Sequence, residues 1–160
     1  IAMQVPVSTD PGPDKRSAAD SRAVYQAQTG LVLSMESQLR LRALYEFIDG
    51  CRLVLDAIRA DLSLFEPQSG NLEPLRRAAR RLGGFSLEAD SWGFDTIYEI
   101  ASRLQILLME SGGRPGGGFW NSVKAALDLL SRLLDQCESD YRRRLEVADM
   151  LDCLDQAARA

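Results

Sequence analysis

The sequence contains no histidine, and this absence removes a large part of side-chain chemistry. Without imidazole there is no histidine base, no Ser–His or Cys–His nucleophile pair and no histidine metal ligand. Lysine is scarce as well, since it occurs only as Lys15 and Lys124. The chain also lacks the motifs of phosphate-binding loops, dinucleotide-binding turns, calcium loops and paired-cysteine sites. We therefore expect a protein that is not an enzyme and that holds no metal and no cofactor.

Long apolar runs, a signal-peptide pattern and an excess of positive charge are missing too. No run approaches the roughly 20 apolar residues that cross a bilayer, and the N-terminal IAMQVPVSTD has no charged-then-apolar order. The formal net charge of −4 disfavours general nucleic-acid binding. Cys51, Cys137 and Cys153 have no metal-ligand spacing, so we expect reduced thiols. These features predict a cytoplasmic protein with no membrane insertion and no nucleic-acid partner.

What the chain does have is helical patterning. Its 160 residues, 46% hydrophobic and 26% charged, suit one globular domain. No two-residue alternation of the strand type persists, whereas apolar residues recur at spacings of three and four. This spacing predicts helices over about 31–65, 71–87 and 92–109, and a last helix from about 119 to 158. Four such helices with short connections predict an all-α, up-down-up-down four-helix bundle.

The two ends of the chain extend beyond this bundle. We divide the chain into a mobile N-terminal tail at 1–22, a bundle at 23–140 and a C-terminal helical extension at 141–160. The prolines near the N-terminus indicate a tail without regular structure, and a modest extra helix is expected over 14–29. The last helix would be about 60 Å long at 1.5 Å per residue, so it either breaks near Glu138–Asp140 or projects. A projecting part needs a covering surface from this domain, a second copy or a neighbouring domain.

Two segments carry a resemblance to a known family: LRRAARRLGGFS at 75–86 and WGFDTIYEIASRLQ at 92–105. They resemble the histidine-containing phosphotransfer domain, the Hpt module of bacterial phosphorelays. Members of that family are four-helix bundles whose second core helix exposes a histidine. That histidine accepts a phosphoryl group from a receiver aspartate and passes it on. The resemblance covers about residues 44–134 and includes the upstream run LYEFIDGCRLVLDAIRADL.

The family motif Ala-His-x-Leu-Lys-Gly-Ser is only partly kept. Arg80 stands at the histidine position, and Gly83 replaces the lysine. An ungapped alignment would instead place Gly83 at the histidine position. We prefer Arg80 because it keeps the packing residues in register, namely Leu75, Ala79, Leu82 and Gly84. The second pattern is matched throughout, by Trp92, Gly93, Phe94, Ile97, Ile100, Ala101, Leu104 and Gln105. The interval from Gly84 to Gly93 is about three residues longer than usual, which predicts a longer turn.

The resemblance implies a fold and a docking surface, but no phosphotransfer. The implied partners are a receiver domain or a histidine kinase. Around the degenerate phosphoacceptor position Arg80, the implied docking residues are Arg76, Arg77, Arg81, Gly83, Gly84 and Leu87. Arg80 itself is either a non-transferable plug that pairs with receiver carboxylates or part of a solvated arginine-rich face.

Other residues near the motif leave alternatives open. Phe85 and Trp92 belong either to the rim of the docking surface or to the core. Three hydroxyl side chains are candidates for a replacement phosphoacceptor: Ser86, Ser91 and Thr96.

Three functions compete on this sequence. The first is a non-catalytic Hpt-like signalling module that docks a receiver or kinase. The second is a structural dimerisation or linker domain of a larger signalling protein, in which 141–158 packs against a second copy. The third is an enzyme that uses carboxylates such as Asp90 or Glu99, although nothing in the sequence arranges them as a site.

Overall fold

The computed structural model describes residues 33–112 and 116–159. Every regular element in these two ranges is an α-helix, so the predicted all-α class is confirmed. The helices are α1 (Met35–Ser63), α2 (Glu73–Ser91), α3 (Asp95–Glu110) and α4 (Phe119–Arg159). The predicted tail at 1–22 and the predicted helix at 14–29 lie outside the described residues.

The four helices pack in a ring in which each contacts two others. The contacting pairs are α1 with α2, α2 with α3, α3 with α4, and α4 with α1. Ion pairs show the direction of the last pair, because Arg52 meets Asp135 at 2.6 Å and Arg59 meets Asp128 at 3.3 Å. Residue numbers rise along α1 as they fall along α4, so these two helices are antiparallel. The result is a helical bundle with α2 and α4 at opposite corners.

One apolar core fills the ring. Helix α1 supplies its largest share from residues spaced by three and four, which places them on one side of the helix. Those fully or almost fully buried are Leu44, Ile48, Cys51, Leu55 and Ile58. Helices α2 and α3 form the closest pair, because small buried side chains let their backbones approach. These small residues are Ala78, Ala79, Ala89 and Ala101.

Helix α2 is longer than predicted. It continues to Ser91, so the extra residues before Gly93 lengthen the helix and the expected longer turn is wrong. The reason is packing, since Ala89 continues the buried stripe beyond Ser86. Gly93, at φ 74°, then reverses the chain, and the Phe94 N–H donates to the Ala89 carbonyl at 2.9 Å. This conformation favours glycine.

Helix α4 runs from Phe119 to Arg159 without a break, so of the two predicted alternatives the projecting helix is the one observed. It stays against α1 well past residue 140. Leu145 is buried with Leu33 and Leu41 in a second, smaller apolar cluster. One turn later, Asp149 accepts hydrogen bonds from Ser34 and Ser37 at the start of α1. Beyond this contact, every residue from 150 to 159 is exposed.

Candidate docking face on helices α2 and α3

The outward side of α2 carries most of the predicted docking residues. Arg76, Arg80, Gly84 and Leu87 are exposed and recur at spacings of three and four, so they follow one side of the helix. The opposite side is the buried stripe of Leu75, Ala79, Leu82 and Ser86. Of the segment 76–87, the residues that the structure therefore presents to solvent along one line are Arg76, Arg80, Gly84 and Leu87.

Arg80 lies near the middle of this line. Its side chain is 68% exposed, and its Nη2 donates to Glu73 Oε1 at 2.7 Å. Glu73 comes from the first turn of α2, where a carboxylate also favours the positive end of the helix dipole. Such an exposed pair contributes little to stability. The guanidinium is thus held in place by an interaction that an incoming carboxylate can replace at small cost.

Arg77 and Arg81 point to a different side of α2. Their Nε atoms donate to the two carboxylate oxygens of Asp61, at 3.1 Å and 2.8 Å. Asp61 belongs to the last turns of α1 and is only 7% exposed. Burial by itself would raise the pKa of Asp61, but the hydrogen bonds from Arg81 and Arg77 outweigh it and hold that pKa below its ordinary value. These two arginines therefore fasten α2 to α1, and their side chains are only half exposed.

Asp61 was not singled out from the sequence, although a signal existed. It lies three residues after Ile58 and beside Leu62, on the apolar stripe of α1. A carboxylate on such a stripe requires a cation or several hydrogen-bond donors when it is buried. The nearest run of cations along the chain is the arginine-rich part of α2, which here supplies both partners.

The two glycines of the motif differ in their surroundings. Gln105 of α3 lies across Gly83, and its Nε2 is 2.8 Å from the place where a β-carbon would stand. Nothing lies within 4 Å of the corresponding place at Gly84. Gly84 is therefore the open stretch of backbone on α2, whereas Gly83 is a contact between α2 and α3.

Helix α3 adds apolar side chains next to the α2 line. Gln105 contacts Gly83, and Tyr98 and Met109 occupy the same side of α3 by helical spacing. Leu87 and Met109 are each 67% exposed, and Met109 shares a shallow surface cleft with Arg76. We call this combined surface the docking face; it consists of Arg76, Arg80, Gly84, Leu87, Tyr98, Gln105 and Met109.

The aromatic residues near the motif belong to the interior. Phe85 is 2% exposed. Trp92 is half-buried and stacks on Phe47 with ring centroids 5.3 Å apart. It also meets Tyr141 of α4 in an edge-on arrangement, at 6.1 Å between centroids. Of the two alternatives for these side chains, core packing is therefore the one observed.

The hydroxyl side chains are placed in three different ways. Ser86 is buried, and its Oγ donates to the Gly83 carbonyl at 2.9 Å. Ser91 is exposed at the end of α2 and donates to the Glu88 carbonyl at 2.7 Å. Thr96 is exposed in the first turn of α3. Ser86 and Thr96 lie off the outward line of α2, whereas Ser91 follows Leu87 by four residues and stands at the end of that line.

The acidic residues and cysteines of the described part of the chain are spread over the bundle. Among them, no three or more histidine, cysteine or acidic side chains are placed to hold a metal ion. Asp90 is exposed, and Glu99 pairs with Arg103 at 2.7 Å. Burial, with a smaller contribution from Glu88, raises the pKa of Cys51 to about 12. None of the described helices is long and apolar enough to cross a membrane.

Comparisons with protein-family models, with curated proteins and with solved structures found no match. The resemblance to phosphotransfer domains therefore depends on the motif residues alone.

Proposed function

We propose that this chain is a non-catalytic Hpt-like signalling module, which docks a response-regulator receiver domain or a histidine kinase without accepting phosphate. The observation that carries the proposal is the position of Arg80. Arg80, which the motif alignment matches to the family's histidine, is exposed on the outward side of α2, next to the open backbone at Gly84. The surface that serves phosphotransfer in the family is kept here with a guanidinium in place of the nucleophile.

The chemistry of the docking face suits a receiver domain. In the family that the motif resembles, the phosphoacceptor enters a receiver site that is a cluster of carboxylates around a metal ion. A guanidinium can pair with two carboxylate oxygens at once and stays protonated at any physiological pH. Arg76 adds a second positive charge one turn away. The docking face is thus complementary in charge to such a site, although the whole chain is acidic.

Apolar contacts would supply the rest of the affinity. Leu87 and Met109 are large side chains of the face that are left two-thirds exposed. Exposed apolar side chains of this kind become buried anchors in protein interfaces, while charged side chains set orientation and association rate. Arg77 and Arg81 contribute mainly by fixing α2 on α1, because Asp61 already occupies both.

A titration followed by NMR tests the proposal. The labelled protein is mixed with receiver domains encoded near its gene, each with and without a phosphate mimic. We expect shifts confined to 76–87 and the adjoining part of α3, and at least tenfold weaker binding for Arg80→Glu. Arg103→Glu is the matched control, because Arg103 also forms an exposed 2.7 Å pair with a glutamate but lies on another side of α3. Equal binding by wild type and Arg80→Glu would contradict the proposal.

A structural dimerisation or linker role is the second candidate. It is favoured by the exposed apolar side chains on the last three turns of α4. This role does not compete with docking for the same residues, because α4 occupies the corner of the bundle opposite α2.

A further inference from the structure

The end of α4 carries an apolar stripe that the bundle does not use. Val147, Met150, Leu151 and Leu154 recur at spacings of three and four and are 45–58% exposed. Leu145 and Asp149, which contact α1, lie on the other side of the same turns. At about 100° per residue, the centre of the stripe is rotated roughly half a turn from them. The stripe therefore points directly away from the bundle.

Nothing within the described fold accounts for this stripe. A helix end that only had to stay in solvent would be polar on its outward side. Isolated helical turns are also marginal in water and depend on packing of an apolar face. The chain enters α1 at Leu33, which packs on the opposite side of α4. A surface outside this bundle is therefore needed to cover the stripe.

The charges beside the stripe indicate what that surface is. Arg143 and Arg144 precede the stripe, and the acidic residues Glu146 and Asp155 interleave with it or follow it. Two copies aligned in parallel would place the arginines against arginines and the acids against acids. Two antiparallel copies would place the basic start of each segment beside the acidic end of the other. Opposite charges across such a seam stabilise it, and like charges oppose it.

We propose that two copies of this chain associate through the outward stripe of α4, with the two helices antiparallel. The centre of the contact is near residue 149. There Val147 packs on the partner's Leu151, and Leu151 on the partner's Val147. Arg144 then lies beside the partner's Leu154 and the partner's Asp155, so that its stem covers the leucine and its guanidinium meets the carboxylate.

The dimer would carry two docking faces. The docking face belongs to α2 and α3, whereas the proposed contact between copies uses only the end of α4, so the docking face stays free on each copy. A partner with two receiver domains would then bind through both faces with increased overall affinity. The association itself does not depend on the proposed docking function and is tested without any partner.

Sedimentation equilibrium of the full chain is the first test. A chain of 17.7 kDa is expected to sediment as a dimer of about twice that mass at micromolar concentration. Leu151→Glu should raise the dimer dissociation constant at least tenfold. Leu53→Glu is the control, since Leu53 is 71% exposed on α1 and should leave the dimer unchanged. A monomeric wild type, or a dimer that Leu151→Glu leaves intact, would overturn the proposal.

A charge exchange tests the orientation. Arg144→Glu should weaken the dimer, because the introduced glutamate would lie beside the partner's Asp155. Adding Asp155→Arg to the same chain should restore association, since each introduced glutamate would then meet an introduced arginine of the other copy. In a parallel dimer Asp155→Arg would not restore association, because position 144 of one copy would still lie beside position 144 of the other. Failure of the double variant to recover association would overturn the antiparallel arrangement, and circular dichroism of each variant checks that α4 remains helical.

Discussion

Gln105 of α3 lies across Gly83 of α2, with its Nε2 2.8 Å from where a β-carbon of residue 83 would stand. One residue further along the motif, Gly84 has no such neighbour. Adjacent glycines in one helix therefore have different reasons to be glycine. At Gly83 the small residue allows a side chain of the next helix to lie close, whereas at Gly84 it leaves the backbone exposed on the docking face.

This difference predicts unequal effects of alanine at the two positions. Gly84→Ala should raise the free energy of unfolding by about 0.5–1 kcal/mol, because alanine loses less backbone entropy in a helix and meets nothing. Gly83→Ala should gain less, because Gln105 must move. Urea denaturation of both variants measures the difference. In the double variant Gly83→Ala with Gln105→Ala, the gain in the free energy of unfolding should come close to that of Gly84→Ala. Equal gains from the single variants Gly83→Ala and Gly84→Ala would contradict this explanation.

Among the polar residues of the bundle, Asp61 is expected to give the largest fall in the free energy of unfolding when it is replaced. Asp61→Asn removes the charge that holds Arg77 and Arg81, and should lower the free energy of unfolding by about 1–3 kcal/mol. The value is below that of a fully buried pair because both arginine side chains remain half exposed. Glu73→Gln is the matched control, since it breaks the exposed pair with Arg80 and should cost less than about 0.5 kcal/mol. Thermal and urea unfolding of both variants give these values.

The same carboxylate predicts a dependence of stability on acid. The pKa of Asp61 in the folded protein is below the ordinary value of 3.8, so the unfolded chain binds a proton more readily. The contribution of Asp61 to the free energy of unfolding is therefore complete above its ordinary pKa and is lost as the pH falls through the lower, folded pKa. Wild type and Asp61→Asn should differ most near neutral pH, and the difference should shrink as the pH falls below 3.8 toward the folded pKa. A difference that stayed constant down to about pH 2 would exclude this ion pair as the cause.

Asp149 should control the junction between the end of α4 and the start of α1. Its carboxylate accepts from the Ser34 N–H at 2.7 Å and from the Ser37 hydroxyl at 2.8 Å. The backbone bond from Ser34 is the main cause of a lowered pKa, burial opposes it, and the serine hydroxyls add to it. Asp149→Ala should increase amide exchange at the start of α1 and in α4 beyond Leu145, with about 1 kcal/mol lost overall.

Hydrogen exchange followed by mass spectrometry locates this effect. Asp152→Ala is the control, because Asp152 is an exposed acid on the next turn of α4. It should leave exchange in α1 unchanged. Uniformly faster exchange throughout the bundle in Asp149→Ala would show that the residue supports the whole fold and not this junction.

The three cysteines should differ in reactivity with a thiol reagent. Cys153 is exposed and should be labelled first in mildly alkaline buffer, whereas Cys51 is buried with its pKa raised to about 12. Burial also raises the pKa of Cys137, with Asp140 acting in the same direction and Arg144 against it. Because the thiolate is the reactive form, Cys51 should react only after unfolding. Peptide mapping after timed labelling gives the order, and early labelling of Cys51 would contradict the described core.

Much of the fold was predictable from local spacing. Leu44, Ile48 and Cys51 lie in the core because apolar residues three and four apart share one side of a helix. The same rule identified the buried and outward sides of α2. It placed the end of α2 at about residue 87 instead of Ser91, because the burial of Ala89 against other helices depends on tertiary packing.

By itself, the sequence determined that the described part of this chain is helical and which side of each helix is apolar. These properties depend on residues within a turn or two of one another. Only the tertiary structure decided which arginines of α2 form ion pairs with α1 and which stay on the outward side. Arg77 and Arg81 turn to Asp61, which is 16 and 20 residues away along the chain, and Arg76 and Arg80 remain outward. It also decided that α4 keeps one side on α1 as far as Asp149 and leaves its apolar outward side uncovered, because burial depends on which helices meet in space.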